Sequence, residues 1–489
     1  YGCMNYAHFD LYDIDVRLTR AKYEAKKLTC RIRSLTCKDS CGYEVKALNS
    51  DYFMDSTQIR FDNLFLKDSY STVNARYLSF GYTKGRDIND YVNKIVMGAD
   101  FFNTTLDFRT VGVYAPTLKD NRLQMLIDGE VIGPVRDLRS KDLRVRMGDS
   151  TDVRVGVAIT GLPNIDSTYF NFTFKDVNTI MPEVAEIVSS FAPSFKRETF
   201  DKIVPDVRLN VQGIAYGTRS DVYSTGTITT RIGDIDYHAQ TYPDLKGNGR
   251  DVSIEIGAEN LDLGHITSSE LLGKGTLSTA ININILPQDV GMIFNGKLDS
   301  LVVHRLEMNG YDYGGIVAVG EIENNMADMR LISNNDAIPL LFHGVFQMDS
   351  TLNPQRFNGY LNLPQGDLAA IGLDNKNAVS ELGFTANIDI RKGRHETLLG
   401  HLNLSDIYYH NEKGSHEIKE IHLDSYIEEN VNIITLDSPM LRASYKSDDV
   451  PSKLVRRIKN SMFSRNLPSL IRTDELFTDS LEIAQHGNY

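Results

Sequence analysis

Apolar and polar residues alternate along most of this chain. The stretch Asn295–Ile322 shows the habit best: alternating residues lead to Asn309-Gly310, and alternation resumes through Tyr311, Tyr313, Ile316, Ala318 and Gly320. That pattern predicts two strands, each with one apolar face, joined by a tight Asn-Gly turn. Leu298, Leu301 and Val303 do not keep a single period, so the facing of the first strand stays open, because a one-residue slip inverts a strand. Similar runs recur at Val153, Val155, Val157 and Ile159, at Ile281, Ile283 and Ile285, and at Leu382, Phe384, Ala386, Ile388 and Ile390. Phe170, Phe172 and Phe174 form a shorter one. Between Leu28 and Cys37 the alternation skips a place before Leu35, which predicts a β-bulge.

Helical spacing interrupts this rhythm in few places. Ile88, Tyr91, Val92, Ile95 and Val96 predict a short helix within Gly85–Phe102. A clearer helix is predicted from about Thr179, with Pro182 in its first turn, Val184, Ile187, Val188 and Phe191 on one face, and Pro193 ending it. A second helical piece is expected over Lys196–Ile203, and single helical turns at His265–Leu272 and Asp367–Leu373. The fold class expected is therefore all-β, an elongated antiparallel sheet curled into a trough, with a few short helices. Four segments are expected: 1–110, 111–220 with the helix near 179–192, 221–450, and a basic helical connector or tail at 451–489.

Composition agrees with strands and polar turns. The chain has 489 residues, 41% of them hydrophobic, enough for a core and too many for one ordinary domain. Its net charge of −13 is spread along the sequence, which predicts a solvated face, and no basic stripe with interleaved aromatics marks nucleic acid as a partner. There is no run of apolar residues long enough to span a bilayer. The sequence opens mid-pattern on Tyr-Gly-Cys, and the expectation is a slice of a longer protein. The cysteines Cys3, Cys30, Cys37 and Cys41 are spaced poorly for zinc. A local disulfide across the turn at Asp39-Ser40 and simple buried thiols are the two readings left for them.

Catalytic signatures are missing. There is no Gly-x-Ser-x-Gly elbow, phosphate-binding loop or His-Glu-x-x-His pair, and Gly273 with Gly275 reads as a turn and not as a dinucleotide fingerprint. His401, His410, His416 and His422 are the best remaining candidates for a site, with scattered histidines in surface loops as the alternative. No catalytic residue, metal or cofactor is expected. Asp-Ser-Thr or Asp-Ser-Leu triplets occur at Asp55, Asp149, Asp166, Asp299, Asp349 and Asp479. Turn chemistry explains them, since Asp and Ser bond their own backbone; they also look like O-glycan acceptor motifs of Bacteroidota.

Four stretches together carry a family likeness. They are Leu28–Leu66 with Ser40-Cys41-Gly42 at its turn; Asp128–Val135 with Gly161-Leu162-Pro163; Gly310-Tyr311-Asp312-Tyr313 followed by Ile316 and Gly320; and Gly400–Tyr409 followed by Ile421–Ser438. They resemble the TamB (translocation and assembly module) branch of the AsmA-like superfamily, Bacteroidota type. The resemblance implies a periplasmic trough that carries phospholipid between the inner and outer membranes in support of outer-membrane biogenesis. It implies anchoring to the inner membrane through a helix lying outside this sequence. It also implies an outer-membrane assembly barrel (TamA-like) as partner. The groove lining expected is Val153, Val155, Val157, Ile159, Ile281, Ile283, Ile285, Phe384, Ala386 and Ile388, against phospholipid acyl chains. The alternatives are a scaffold or chaperone for outer-membrane strands, acting by β-augmentation, and a carbohydrate-active β-enzyme.

Overall fold

The computed structural model describes residues 10–114, 118–191, 207–246, 248–351, 353–393, 397–429 and 431–447. The expected all-β fold of curled antiparallel sheet is what the chain adopts, open and not closed into a barrel. It falls into two compact units, one holding residues 1–243 and 253–269, the other 244–252 and 270–489. The expected segment 451–489 and helical piece 196–203 lie outside the described residues.

In the first unit the strands are β1 (Leu11–Glu24), β2 (Lys27–Asp39), β3 (Glu44–Met54), β4 (Gln58–Lys67) and β5 (Thr72–Gly81). They continue with β6 (Val96–Asp107), β7 (Gln124–Gly133), β8 (Asp137–Met147), β9 (Thr151–Thr160) and β10 (Tyr169–Ile180). β11 (Arg208–Gly217), β12 (Val222–Thr230) and β13 (Gly233–Pro243) complete a meander in which each strand pairs with the next. The bulge predicted in β2 is present, as register shifts on either side of Leu35. Further bulges place Asn63 and Asn103 at positive φ inside strands, a conformation asparagine tolerates. β14 (Arg250–Asp262) has residues in both units.

The second unit runs through β15 (Leu272–Pro287), β16 (Met292–Met308), β17 (Tyr311–Asp312), β18 (Ile316–Glu323), β19 (Met326–Asn334) and β20 (Pro339–Met348). Beyond these come β21 (Pro354–Asp367), β22 (Ser380–Lys392), β23 (Leu398–Asn411), β24 (Gly414–Glu428), β25 (Val431–Asp437) and β26 (Arg442–Ser447). Asn309 and Gly310 both take positive φ, as the predicted turn requires. The chain after this turn does not return as one simple strand: β17 is two residues long, and just past it Tyr313 is buried while its N–H still donates to the Leu306 carbonyl of β16.

Four helices are described: α1 (Tyr91–Lys94), α2 (Phe108–Tyr114), α3 (Met181–Phe191) and α4 (Leu263–Thr267). The helix expected within Gly85–Phe102 is shorter than its spacing suggests. A 3-10 turn at Gly85–Asp90 and the four-residue α1 occupy its first half, and β6 takes the rest from Val96. The period-two set Met97, Ala99 and Phe101 prevails there because Ala99 is buried against the sheet's apolar side. α3 begins two residues later than expected, β10 running on to Ile180. Gly273 and Gly275, expected in a turn, lie within β15.

Candidate functional site

Directly opposed residues of an antiparallel pair share a face, so the register shows which side chains gather. In the first unit Val153 lies opposite Val145 and Val177, and Val155 opposite Leu143 and Phe174. Val157 faces Ser140 and Phe172; Ile159 faces Leu138 and Phe170. All four expected positions therefore fall on one apolar face. Phe170, Phe172 and Phe174 run along it with ring centroids 5.2 and 6.1 Å apart. Opposite these rings β11 carries Gly217, Ala215 and Gly213, small residues that leave room for aromatic rings.

In the second unit one row crosses eleven strands. Ile281 lies opposite Leu298, which faces Gly320, then Met329, Gly344 and Gly359. From Gly359 the row continues to Ile388, Leu402, Leu423, Leu436 and Ala443. A neighbouring row joins Ile283 to Ile322, Phe346, Phe357 and Ile390 through Gly296 and Ala327. Ala386 belongs to a third, with Leu331, Phe342 and Leu361. Ile285 and Phe384 extend the same strand faces in period two. A bulge after Leu298 returns Leu301 and Val303 to the apolar side, which settles the facing that alternation left open.

This face carries its own aromatic cluster, which the sequence pattern did not single out. Phe346 and Phe357 centroids lie 4.6 Å apart, with Phe342 at 6.4 and 6.2 Å from them. A Cβ on Gly344 would come within 2.5 Å of the Phe342 ring, so glycine is what lets the ring lie flat on the strand. Of the ten expected residues only Val153, Val155 and Ala386 are buried; the rest are half-buried. An apolar face left in that state over many strands is unusual in a protein with nothing bound to it.

The reverse face is ionic. Arg154 and Lys175 converge on Asp142 at 2.7 and 3.3 Å, Arg146 reaches Asp128 at 2.9 Å, and Arg144 pairs with Asp152. The hydrogen bond from Arg154 holds the Asp142 carboxyl below its ordinary value. In the second unit Lys297 and Asn282 meet Asp299, and Arg356 binds Asp389 at 2.6 Å. Exposed pairs of this kind add little stability; what they do is fix which face meets water.

Each apolar face is covered along one margin, by elements whose local form the sequence suggested but whose docking it did not. In the first unit α3 lays Met181 and Val184 on Val207, Leu209 and Ile232, with Ile266 of α4 beside them. Glu183 fastens the helix: its carboxylate accepts the N–H groups of Asp149 and Ser150, both at 3.0 Å, and the Thr151 hydroxyl. In the second unit Tyr313, Ala337 and Ile371 form a buried cluster against Leu306, Ile316 and Leu368. Asn335 ties the loops together, accepting the Tyr311 hydroxyl and donating to the Asp312 carbonyl. The turn beginning at Asp367 brings Ile371 inward, its N–H donating to the Asp367 carbonyl.

The remaining candidates dissolve into structure. His401 and His410 lie on β23 and His416 and His422 on β24, not in loops; His401 and His422 belong to the polar face, where His422 Nδ1 lies 2.7 Å from Asn403. No group of side chains suited to a metal occurs among the described residues. Cys30, Cys37 and Cys41 are free thiols, and burial pushes their pKa values up; Cys3 lies outside the described residues. The triplets at Asp55 and Asp349 make the expected turns, with Asp oxygens accepting from the Thr two residues on. Thr151, the third residue of the Asp149 triplet, is buried, and Asp479 lies outside the described residues.

Comparison with family models, with curated proteins and with solved structures finds no match for this chain.

Proposed function

We propose that the chain is a segment of a bridge-like lipid-transfer protein that carries phospholipid with its acyl chains on the apolar face and its headgroup in water. The observation that supports this reading most is the row from Ile281 to Ala443, apolar or glycine at each strand it crosses and half-buried through much of its length. Each methylene taken out of water on such a surface gains about 0.8 kcal/mol. An open face without a charged or hydrogen-bonding trap holds a lipid without fixing it in place. Continuity across strands, and not a tight pocket, is what passage along the sheet needs. In this reading the protein works in the periplasm, with an outer-membrane assembly barrel as partner.

Photo-crosslinking residues placed at Val157, Ile283 and Ile388 should capture phospholipid from vesicles, while the same residue at Arg154 or Asn282 on the polar face should not. Equal capture from both faces, or none from either, would sink the proposal.

A further inference from the structure

Ile433 of β25 belongs to the charged face of the second unit, not to the apolar one. It lies opposite Tyr426 and Lys446, and Tyr426 shares its side of β24 with Asp424, which faces His401. Leu436, three residues on, is in the apolar row. Yet Ile433 is 2% exposed. Other aliphatic residues on the charged face are not hidden in this way. Val317, Val319, Ile332 and Leu341, flanked by strand neighbours in the same manner, are 39%, 40%, 46% and 45% exposed. Among the described residues, pairing and period two surround Ile433 with Tyr426, Lys446, Val431 and Thr435, the same kind of ring. Such a ring screens the sides of a side chain and leaves its tip open, so something further lies over Ile433. The structure contains one chain, and the cover therefore belongs to that chain.

We infer that the basic segment 453–465 of this same chain folds back onto the charged side of β24 and β25, with its apolar residues over Ile433 and Tyr426. The described residues end at Ser447, which lies opposite Asn432, the neighbour of Ile433. The connection from there to Leu454 spans up to about 20 Å when extended, enough to reach any point on these two strands. Leu454, Val455, Ile458 and Met462 recur at helical spacing as one apolar stripe. Lys453, Arg456, Arg457, Lys459 and Arg465 fill the other positions, with no acidic residue among them. The surface beneath has the opposite charge: Asp424 and Glu428 stand two residues on either side of Tyr426 on β24, and both are exposed. Arg457 and Lys459 border the apolar stripe, so a stripe seated on Ile433 and Tyr426 brings a cation towards each carboxylate. Among the described residues, β26 is six residues long and pairs along one side only, an edge of the kind that natural sheets cover. The docked segment holds this last hairpin down from the charged side and leaves the apolar face free.

Benzoylphenylalanine placed at Tyr426, an exposed position, should on irradiation of the full chain crosslink to the peptide 453–465. The same residue at Tyr360, also exposed on the charged face, should not. Mixing heavy-isotope and ordinary chain separates crosslinks within one molecule from those between two. Ile458→Asp should cut the crosslink about tenfold, because it sets a carboxylate in an apolar contact. Asp424→Lys combined with Glu428→Lys should cut it about threefold, since exposed ion pairs are each worth little. Ile458→Asp should also speed amide exchange over 431–447 and leave β20 unchanged, a readout that does not depend on photochemistry. Absence of the crosslink, crosslinks to another segment or only between two molecules, or exchange unmoved by Ile458→Asp, each overturns the inference. None of these outcomes bears on lipid transfer by the apolar face.

Discussion

The first unit covers its margin with a helix and the second does so with turns, and the two solutions differ in what holds them down. Twenty-seven residues separate the end of β10 at Ile180 from the start of β11 at Arg208, length enough for α3 to lie back on the sheet. A helix presents N–H donors and a polar side as well as an apolar one, so it needs an electrostatic fastening, which Glu183 gives. In the second unit the connections at this margin form turns instead of a helix, and burial comes from individual side chains. Ile371 and Tyr313 go in deeply, while Asn335 satisfies the turn. The two units thus bury the same kind of apolar margin with different chemistry, a clasped helix in one and inward-turned side chains in the other.

Substitutions can test this contrast. The largest effect is expected on the faces themselves. Val155→Asp places a carboxylate at a 6%-exposed position and should cost about 3 kcal/mol or more in urea unfolding, the scale for a buried polar group without a partner. Ile283→Asp, at a half-buried position, should keep the fold and abolish lipid capture. If Val155→Asp costs no more than Ile283→Asp, the first unit's face is more open than its burial says.

Next come the covers. Ile371→Ala should cost about 2–4 kcal/mol, because the cluster around it is fully packed; Met181→Ala, only partly buried, should cost about half as much by the same scale. Equal losses would mean that helix and turn covers bury alike. Glu183→Gln should cost about 1–2 kcal/mol by weakening charge-assisted bonds. Amide exchange should rise over 181–191 and stay unchanged over 313–371, and a rise in both would contradict the separate fastening of the two covers.

The smallest effect concerns Asp349. The Thr351 hydroxyl and the Asn353 N–H hold its carboxyl at about 2, below the ordinary 3.8. A depressed carboxylate stabilises the fold above its unfolded value and loses that contribution as pH falls through the folded one. Protection of the Thr351 and Asn353 amides should therefore decline between pH 3.8 and about 2, and Asp349→Asn should flatten that decline. The Glu183 clasp in the first unit should not respond to Asp349→Asn.

Much of the sheet was legible because strand alternation is a local property. Val153–Ile159 and Ile281–Ile285 each declare an apolar side with no partner in view, and the skipped place before Leu35 declares a bulge. Local signals failed where a longer-range demand won. The helix expected within Gly85–Phe102 stopped at Lys94 and gave way to β6 from Val96, because Ala99 and Phe101 had to join the sheet. Three of the four candidate histidines read as loop residues because polar neighbours on the wet face of a strand look the same as polar neighbours in a turn.

Local sequence was enough to dictate strands with one greasy and one charged side, because period two is written into every strand's own residues. Long-range pairing was needed to put Leu298 beside Gly320 and Met329, to gather Phe342, Phe346 and Phe357 into one cluster, and to bring Ile371 and Glu183 to the margins they secure. Those placements depend on register and on where loops fold back, and both are set by contacts between residues far apart in the chain, where no local pattern reaches.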